Sequence, residues 1–292
     1  MPNLLKLIEI LINSNLYISF AAVIFTLAAQ IQLGIKPQLH VYLVIIFFAT
    51  LFEYNLHRFI TTIKILKLTD TKERKLRYGG LTVYFAMLAF ALCGFIVIVF
   101  YAKPEVLIVL TPFALITLLY SVPVFKTQKS FMRLREIPFL KIFLISFVWS
   151  TATTIIPVIH NESSLFNLSV IATLTERFFF IFAITIPFDI RDMESDLQAG
   201  LKTIPLKLDK NKSILISYIA LLMFFLISFF HYQSEQQWEI LLAITISFIV
   251  TFFILYSKKL RTVQYYHTGI LDGTIILQGF LVIVIFYISK NF

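Results

Sequence analysis

PFDIRDMESDLQAGLKTIP, residues 187–205, follows a long apolar run and determines how the rest of the chain is interpreted. The stretch holds four of the 16 acidic residues of the chain. If the preceding helix continues, Asp189, Asp192 and Asp196 fall at i, i+3 and i+7 on one helix face, whereas Glu194 points elsewhere. Three carboxylates on one face repel each other, so we expect a positive charge beside them. Oxygen ligands at this density suit Mg²⁺, which is usually held by a few carboxylates and by substrate phosphates.

The composition is that of a multi-span membrane protein. Of the 292 residues, 59% are hydrophobic and only 14% are charged, against about a quarter charged in an average soluble domain. These values exclude an ordinary soluble domain. The net charge of +9 is therefore interpreted through membrane topology, and we expect the lipid bilayer and no nucleic acid as a partner.

Nine apolar runs are long enough to cross a bilayer, and all should be helices. They lie at about 16–35, 39–59, 81–102, 105–121, 139–159, 168–188, 212–231, 238–256 and 269–289. Residues 1–15 are expected to form an amphipathic helix at the membrane interface. Polar loops at about 60–80, 122–138 and 189–211 are expected to cap one face of the bundle. We therefore predict an all-α fold and a single transmembrane domain over residues 1–292.

The distribution of basic residues predicts the orientation of the helices. Twenty-one of the 25 Lys and Arg residues fall in the N-terminal segment and in the loops after the second, fourth, sixth and eighth runs. Only Lys36, Lys103, Arg177 and Lys290 remain for the other side. The positive-inside rule then places the N-terminus in the cytosol and the C-terminus on the opposite side. We expect a multi-pass protein of a bacterial inner membrane or an equivalent bilayer.

The acidic stretch resembles the second aspartate-rich motif of the UbiA superfamily of intramembrane prenyltransferases. The shared pattern is Asp-x-x-Asp-x-x-x-Asp-x-x-x-Gly-x-x-Thr-x-Pro, from Asp189 to Pro205. Gly200 and Pro205 are expected to end the helix and turn the chain. The alternative is a solvated acidic helix end, which does not require this Gly, Thr and Pro spacing.

The resemblance implies a helical bundle with a central cavity. It implies transfer of an isoprenyl group from a polyprenyl diphosphate to a lipophilic acceptor, aromatic or other. It also implies Mg²⁺ as the cofactor, with Asp189, Asp192 and Asp196 as metal ligands and catalytic residues. The apolar cavity is expected to exclude water from the reactive allylic cation.

The first aspartate-rich motif of that family, Asn-Asp-x-x-Asp-x-x-x-Asp, has a degenerate counterpart in FEYNLHRFIT, residues 52–61. Two registers are open. A start at Asn55 places apolar residues on the three aspartate positions: Leu56, Phe59 and Ile63. A start at Glu53 places polar residues there, and it is preferred for that reason: Tyr54, His57 and Thr61. Neither register retains an aspartate.

The missing aspartates change the expected roles of this segment. A departing diphosphate must be neutralised by a metal ion or by basic side chains. We therefore expect Arg58, with His57 and Asn55, to bind the substrate diphosphate, because Arg matches phosphate oxygens bidentately. Glu53 is expected to be a further metal ligand. The alternative is that these residues are only the polar end of a membrane helix.

A third segment, YSVPVFK at residues 120–126, resembles the Tyr-Ser-x-Pro-Pro-x-x-x-Lys region of the same family, with Val124 in place of the second proline. Tyr120, Lys126 and Arg135 are expected to contact the diphosphate. Lys202, inside the acidic stretch, is a stronger candidate because its loop carries it beside the aspartates. The alternative for each of these cations is a role in topology alone.

Two other functions remain open from the sequence. One is a catalytically altered homologue that binds an isoprenoid or a partner without prenyl transfer, as the missing first-motif aspartates indicate. The other is a transporter, which is disfavoured because the charges lie at helix ends and not at mid-membrane.

Overall fold

The computed structural model describes residues 2–66, 71–126 and 131–291, and these residues are almost entirely helical. The helices are α1 Pro2–Asn13, α2 Leu16–Gln32, α3 Val41–Leu66, α4 Thr71–Val99, α5 Pro104–Ser121, α6 Leu140–His160, α7 Leu168–Arg191, α8 Met193–Gln198, α9 Ile204–Leu208, α10 Lys210–Ser234, α11 Trp238–Tyr256 and α12 Asp272–Asn291. Two short strands, β1 (Phe125–Lys126) and β2 (Phe131–Met132), pair antiparallel. A π-helical segment, Tyr266–Leu271, leads directly into α12.

In the part of the chain that the structure describes, eight helices are long and apolar enough to cross a membrane, and they match eight of the nine expected spans. The first expected span corresponds to α2, which has only 17 residues. Residues Lys6–Asn13 of α1 and the whole of α2 together meet the same test but are bent by 76°. The predicted all-α, multi-pass architecture is confirmed, with up to nine spans among the described residues. The interfacial position of α1 stays a prediction.

The polar loops contain more helix than we expected. Of the segment 60–80, residues 60–66 belong to α3 and residues 71–80 to α4, and 67–70 lie outside the described residues. Lys, Arg and Glu, which dominate the start of α4, are good helix formers in water. The segment 122–138 contains the two short strands and a 3₁₀ turn, with 127–130 outside the described residues. The segment 189–211 contains α8 and α9.

The chain divides into two compact units. The first comprises Met1–Val23 and His40–Arg133, and the second comprises Ile24–Leu39 and Leu134–Phe292. In the first unit α3 packs against α4 and α5; in the second α7 packs between α6 and α10, and α12 packs on α11. The expected single domain over 1–292 stays a prediction.

In the first unit, the turn between α1 and α2 is tied to α3. The side-chain amide of Asn15 donates to Asn55 Oδ1 at 3.0 Å, and Asn55 Nδ2 donates to the Ser14 carbonyl at 3.1 Å. Arg58 Nη1 donates to the Asn13 carbonyl at 3.0 Å. Asn15 has a φ of 63°, a left-handed conformation that asparagine tolerates better than most residues. These bonds fix where α1 turns away from α2.

In the second unit, Arg177 lies inside α7 with its side chain fully buried. Its guanidinium donates to the Phe25 carbonyl at 2.7 Å, to Gln32 Oε1 at 2.6 Å and to Thr153 Oγ1 at 3.0 Å. Arg177 lies within a membrane-spanning helix and its side chain is buried, and its expected assignment to the outer side stays a prediction. A buried charge needs partners, and this one connects α7 to α2 and α6.

Glu176, the neighbour of Arg177, is also fully buried. Its carboxylate accepts hydrogen bonds from Gln32 at 2.8 Å, from Ser228 at 2.8 Å and from Tyr232 at 2.5 Å. His231 Nδ1 lies 3.7 Å from the same carboxylate. Together the two buried charges join α2, α6, α7 and α10 through polar contacts inside an otherwise apolar bundle.

Candidate functional site

The three aspartates of the acidic stretch stay close together although the helix is interrupted. Helix α7 ends at Arg191, Asp192 caps it, and α8 begins at Met193. The condition under which the i, i+3, i+7 spacing was considered, an uninterrupted helix, is therefore not met. The backbone bonds nevertheless continue across the break, from Asp192 N to the Phe188 carbonyl (3.0 Å) and from Asp196 N to the Asp192 carbonyl (2.8 Å). The break thus changes the helix without separating the side chains.

Gly200 ends α8 as expected. It has a φ of +72°, which lies in the left-handed region where a Cβ is unfavourable. Its N–H bonds to the Leu197 carbonyl at 3.0 Å, and the N–H of Leu201 bonds to the Asp196 carbonyl at 2.9 Å. This is the Schellman pattern of a helix C-terminus. Pro205 does not end a helix; it lies in the first turn of α9, where the missing N–H costs nothing.

Asp189, Asp192 and Asp196, here called the carboxylate cluster, surround the ammonium group of Lys141. Lys141 Nζ lies 2.7 Å from Asp189 Oδ1, 3.6 Å from Asp196 Oδ2 and 3.7 Å from Asp192 Oδ2. Lys141, Asp189 and Asp196 are buried, and the side chain of Asp192 is 25% exposed. The expected positive charge beside the three carboxylates is therefore supplied by the first turn of α6.

Two arginines add positive charge at Asp192. Arg191 donates to both carboxylate oxygens, from Nε at 2.7 Å and from Nη2 at 3.2 Å. Burial opposes ionisation of Asp192, but the hydrogen bond and charge of Arg191, followed by the charges of Lys141 and Arg135, outweigh it. They hold the pKa of this carboxyl below its usual range. Three acidic and three basic side chains thus balance at this end of α7.

The carboxylate cluster fits Mg²⁺ in the kind and number of its ligands. All three side chains offer oxygen, the donor atom that Mg²⁺ prefers, and all reach within 3.7 Å of one point. Within the described ranges, no three His, Cys, Asp or Glu side chains already stand in metal-ligating geometry. At the carboxylate cluster the central point is taken by the Lys141 nitrogen. Asp189, Asp192 and Asp196 would hold the ion. To do so, their side chains would take positions different from those they take around the Lys141 ammonium group.

Two of the predicted cations, Arg135 and Lys202, belong to the second unit. Arg135 is half-buried in the 3₁₀ turn before α6 and acts electrostatically on Asp192. Lys202 is exposed, and its carbonyl accepts a hydrogen bond from Phe139 N at 2.9 Å. Because Phe139 is the N-cap of α6, that bond connects the loop after α8 to the helix that carries Lys141. Diphosphate binding by these residues stays a prediction.

The first-motif residues lie in the first unit and separate into two groups. Glu53 and His57 share one face of α3: Glu53 Oε1 accepts from Ser121 Oγ at 2.5 Å, and His57 Nδ1 lies 3.4 Å from the same hydroxyl. The ring of Tyr120 lies 6.0 Å from that of His57. This face contains the middle position of the register that starts at Glu53.

Asn55 and Arg58 face the turn between α1 and α2, where both hydrogen-bond to the backbone. The ring of Tyr84 lies 5.9 Å from the Arg58 guanidinium carbon. Lys126 is exposed in β1. The metal role of Glu53 and the diphosphate roles of these residues stay predictions.

Lys141 is the site residue that sequence analysis missed. It was counted among the basic residues between the fourth and fifth spans and in the continuation of the segment at 120–126, without a predicted contact with the aspartates. One signal could have identified it: Lys141 lies inside the apolar run 139–159, and a charge within a membrane helix usually faces a partner. The next run ends in an excess of carboxylates, which are suitable partners.

The comparisons with known proteins agree with this architecture. The sequence matches the family model described as the UbiA prenyltransferase family over residues 67–266. No curated protein sequence matches the chain. A solved UbiA homolog from Archaeoglobus fulgidus bound to GPP and Mg²⁺ is 15% identical, with a TM-score of 0.62, over 94% of this chain and 99% of that chain.

Two further solved structures are similar. An apo UbiA homolog from Aeropyrum pernix K1 is 12% identical, with a TM-score of 0.61, over 94% of this chain and 98% of that chain. A structure concerning digeranylgeranylglyceryl phosphate synthase in membranes is 16% identical, with a TM-score of 0.54, over 97% of both chains. At these identities the similarity is one of fold.

Proposed function

This chain belongs to the UbiA prenyltransferase family, and from that premise we propose that it transfers an isoprenyl group from a polyprenyl diphosphate to a lipophilic acceptor within the membrane. The proposed reaction depends on Mg²⁺. Solved relatives of the same fold are described as bound to GPP or DMAPP together with Mg²⁺. The acceptor is aromatic or another apolar nucleophile.

One observation carries the proposal: the carboxylate cluster at the end of α7, gathered around a single cation. A cluster in which Asp189 Oδ1 is 2.7 Å from an ammonium nitrogen is arranged to hold positive charge. It lies beside Arg135 and Arg191, and arginine binds phosphate oxygens bidentately. A site with both carboxylates and arginines suits an anion that arrives with a divalent cation.

The bond between the first carbon of the isoprenyl chain and the bridging oxygen breaks, and its electron pair leaves with the diphosphate. The acceptor forms a new bond to that carbon and releases one proton. Mg²⁺, when bound, supplies positive charge to the leaving diphosphate. Arg135, Lys202 and Lys141 neutralise the remaining negative charge of the diphosphate. The surrounding apolar helices keep water from the allylic cation of the isoprenyl chain.

A second candidate function is supported by the first unit. Asn55 is fully buried and bonded to the turn between α1 and α2, and Arg58 bonds to the same turn. Two of the residues expected to bind the diphosphate in the absence of the first-motif aspartates thus have structural partners. This favours a homologue that binds an isoprenoid diphosphate without transferring it.

Ligand-dependent stability distinguishes these functions from a protein that binds no donor. The purified protein is heated in detergent with GPP, with and without Mg²⁺. We expect GPP with Mg²⁺ to raise the unfolding temperature by several degrees, and Asp192→Ala to abolish the increase. Glu194→Gln, a matched control, changes an exposed acid of the same stretch and is expected to retain it. No effect of GPP with Mg²⁺ on the wild type would contradict both functions.

Diphosphate release then separates the two candidates. The protein is incubated with GPP, Mg²⁺ and an extract of membrane lipids as the source of acceptor, and released diphosphate is measured. Release that requires both the extract and an intact Asp192 supports transfer. Metal-dependent binding of GPP with no release supports the altered homologue.

A further inference from the structure

Lys141 occupies a position that lysine usually avoids. It is the second residue of α6, where the positive end of the helix dipole disfavours a cation. Its side chain is only 8% exposed, and lysine is almost never buried without a partner. The carboxylate cluster on α7 and α8 accounts for this position, since its three members all lie within 3.7 Å of the ammonium nitrogen.

The ammonium group and a metal ion compete for the same oxygen atoms. Lys141 Nζ contacts Asp189 Oδ1 at 2.7 Å, whereas Mg²⁺ binds carboxylate oxygens at about 2.0–2.1 Å. Two cations that share one carboxylate oxygen in a buried site repel each other strongly, because the effective dielectric constant is low. Entry of Mg²⁺ therefore requires Lys141 to leave Asp189.

The charge balance of the site indicates what allows Lys141 to leave. The carboxylate cluster is already neutralised by Lys141, Arg135 and Arg191. Mg²⁺ alone adds uncompensated positive charge, whereas Mg²⁺ with a diphosphate does not. The flexible four-carbon stem of lysine lets the ammonium group move from the carboxylates to a phosphate oxygen.

We propose that Lys141 makes metal binding conditional on the diphosphate. In the empty site Lys141 neutralises the carboxylate cluster and excludes Mg²⁺; when the donor enters with Mg²⁺, the ammonium group transfers its contact to the diphosphate. Lys141 is thus a positioning residue that couples the two ligands. The second half of this proposal rests on the proposed function, because it takes the donor to be a diphosphate.

Metal binding in the absence of donor tests the role of Lys141. The wild type and Lys141→Met are titrated in detergent with MgCl₂ alone, and the unfolding temperature is measured. We expect no response of the wild type at millimolar Mg²⁺. Lys141→Met is expected to be stabilised by Mg²⁺ at concentrations at least tenfold below any that stabilise the wild type. Lys210→Met removes an exposed lysine and should behave like the wild type.

The same response to Mg²⁺ in the wild type and Lys141→Met, including no response in either, would overturn the proposal. If Lys141→Met does not fold, Lys141→Gln is judged by the same criterion, because glutamine removes the charge and retains a hydrogen-bond donor for Asp189. A parallel titration with GPP separates this proposal from the proposed function. If GPP affects no variant, the proposed function fails, and the comparison in Mg²⁺ alone still decides whether Lys141 excludes the metal.

Discussion

At the scale of single residues, Asp192 makes the clearest prediction for pH dependence. Arg191, Lys141 and Arg135 hold its pKa below the ordinary value of 3.8. A carboxyl whose pKa is lowered by folding stabilises the folded state above its unfolded pKa, and this contribution is lost as pH falls through the folded pKa. We expect Asp192→Asn to cost about 1–2 kcal/mol at pH 6.

Unfolding temperatures of the wild type and Asp192→Asn, measured in detergent between pH 6 and pH 3, test this expectation. The difference between them should shrink below about pH 4, near the ordinary aspartate pKa. A difference that is constant across this range would contradict it. Glu194→Gln serves as the matched control, because Glu194 is exposed and its replacement should change stability little at any pH.

Arg177 makes a second prediction at this scale. Removing one member of a buried charged network leaves the other uncompensated, so Arg177→Met is expected to destabilise the protein by about 3–5 kcal/mol. As a control, Lys258→Met changes an exposed lysine just after α11 and should lower the free energy of unfolding by less than about 0.5 kcal/mol. The double variant Arg177→Met/Glu176→Gln should lose less unfolding free energy than the sum of the losses in the two single variants. Additive losses would show that the two charges act independently.

At the scale of helices, the close approach of α12 to α2 depends on Gly279. A Cβ added there would lie 2.8 Å from Ile24 Cγ2 and 3.0 Å from the Ile24 carbonyl oxygen, and the backbone cannot move aside cheaply. We expect Gly279→Ala to cost about 1–3 kcal/mol through overpacking. In Gly80→Ala the nearest atom is Tyr84 Cε2 at 3.7 Å, so that control should be neutral or slightly stabilising. Equal unfolding temperatures for the two variants would contradict the close packing.

The sequence predicts the first and last residues of a helix well where a change in hydropathy marks them. The run at 238–256 coincides with α11, because its apolar length sets both ends. The interruption at Asp192 could not be predicted, since no glycine or proline marks it; Pro187 lies inside α7. The end of α3 and the start of α4 were also missed, because both helices extend beyond the apolar runs that hydropathy marks.

At the scale of the whole molecule, the distribution of basic residues predicts the topology. We expect the N-terminus and the loop before α10 on the cytosolic side, and the loop between α6 and α7 on the opposite side. In a Cys93→Ala background, Ser163→Cys should react with a membrane-impermeant thiol reagent in intact cells. Lys210→Cys should react only after the cells are permeabilised. The reverse pattern would show that the orientation is inverted.

The candidate site could be predicted only in part. Asp189, Asp192 and Asp196 are adjacent along one segment, so local spacing suffices to bring them together. Lys141 lies about 50 residues earlier, and its contact with Asp189 exists only because α6 packs against α7. Glu176 and Arg177 were missed for the same reason, since their partners come from three other helices. Partners of a buried charge that are distant in the sequence depend on tertiary packing, which spacing along one chain does not reveal.

The resident ammonium group at the carboxylate cluster has a consequence for biogenesis. When the newly made chain inserts into the bilayer, the carboxylate cluster needs no free metal ion to assemble, because Lys141 is part of the same polypeptide. The denatured protein should therefore regain its folded form in detergent that contains a chelator and no magnesium. Assembly of the carboxylate cluster then does not depend on the supply of a divalent metal ion.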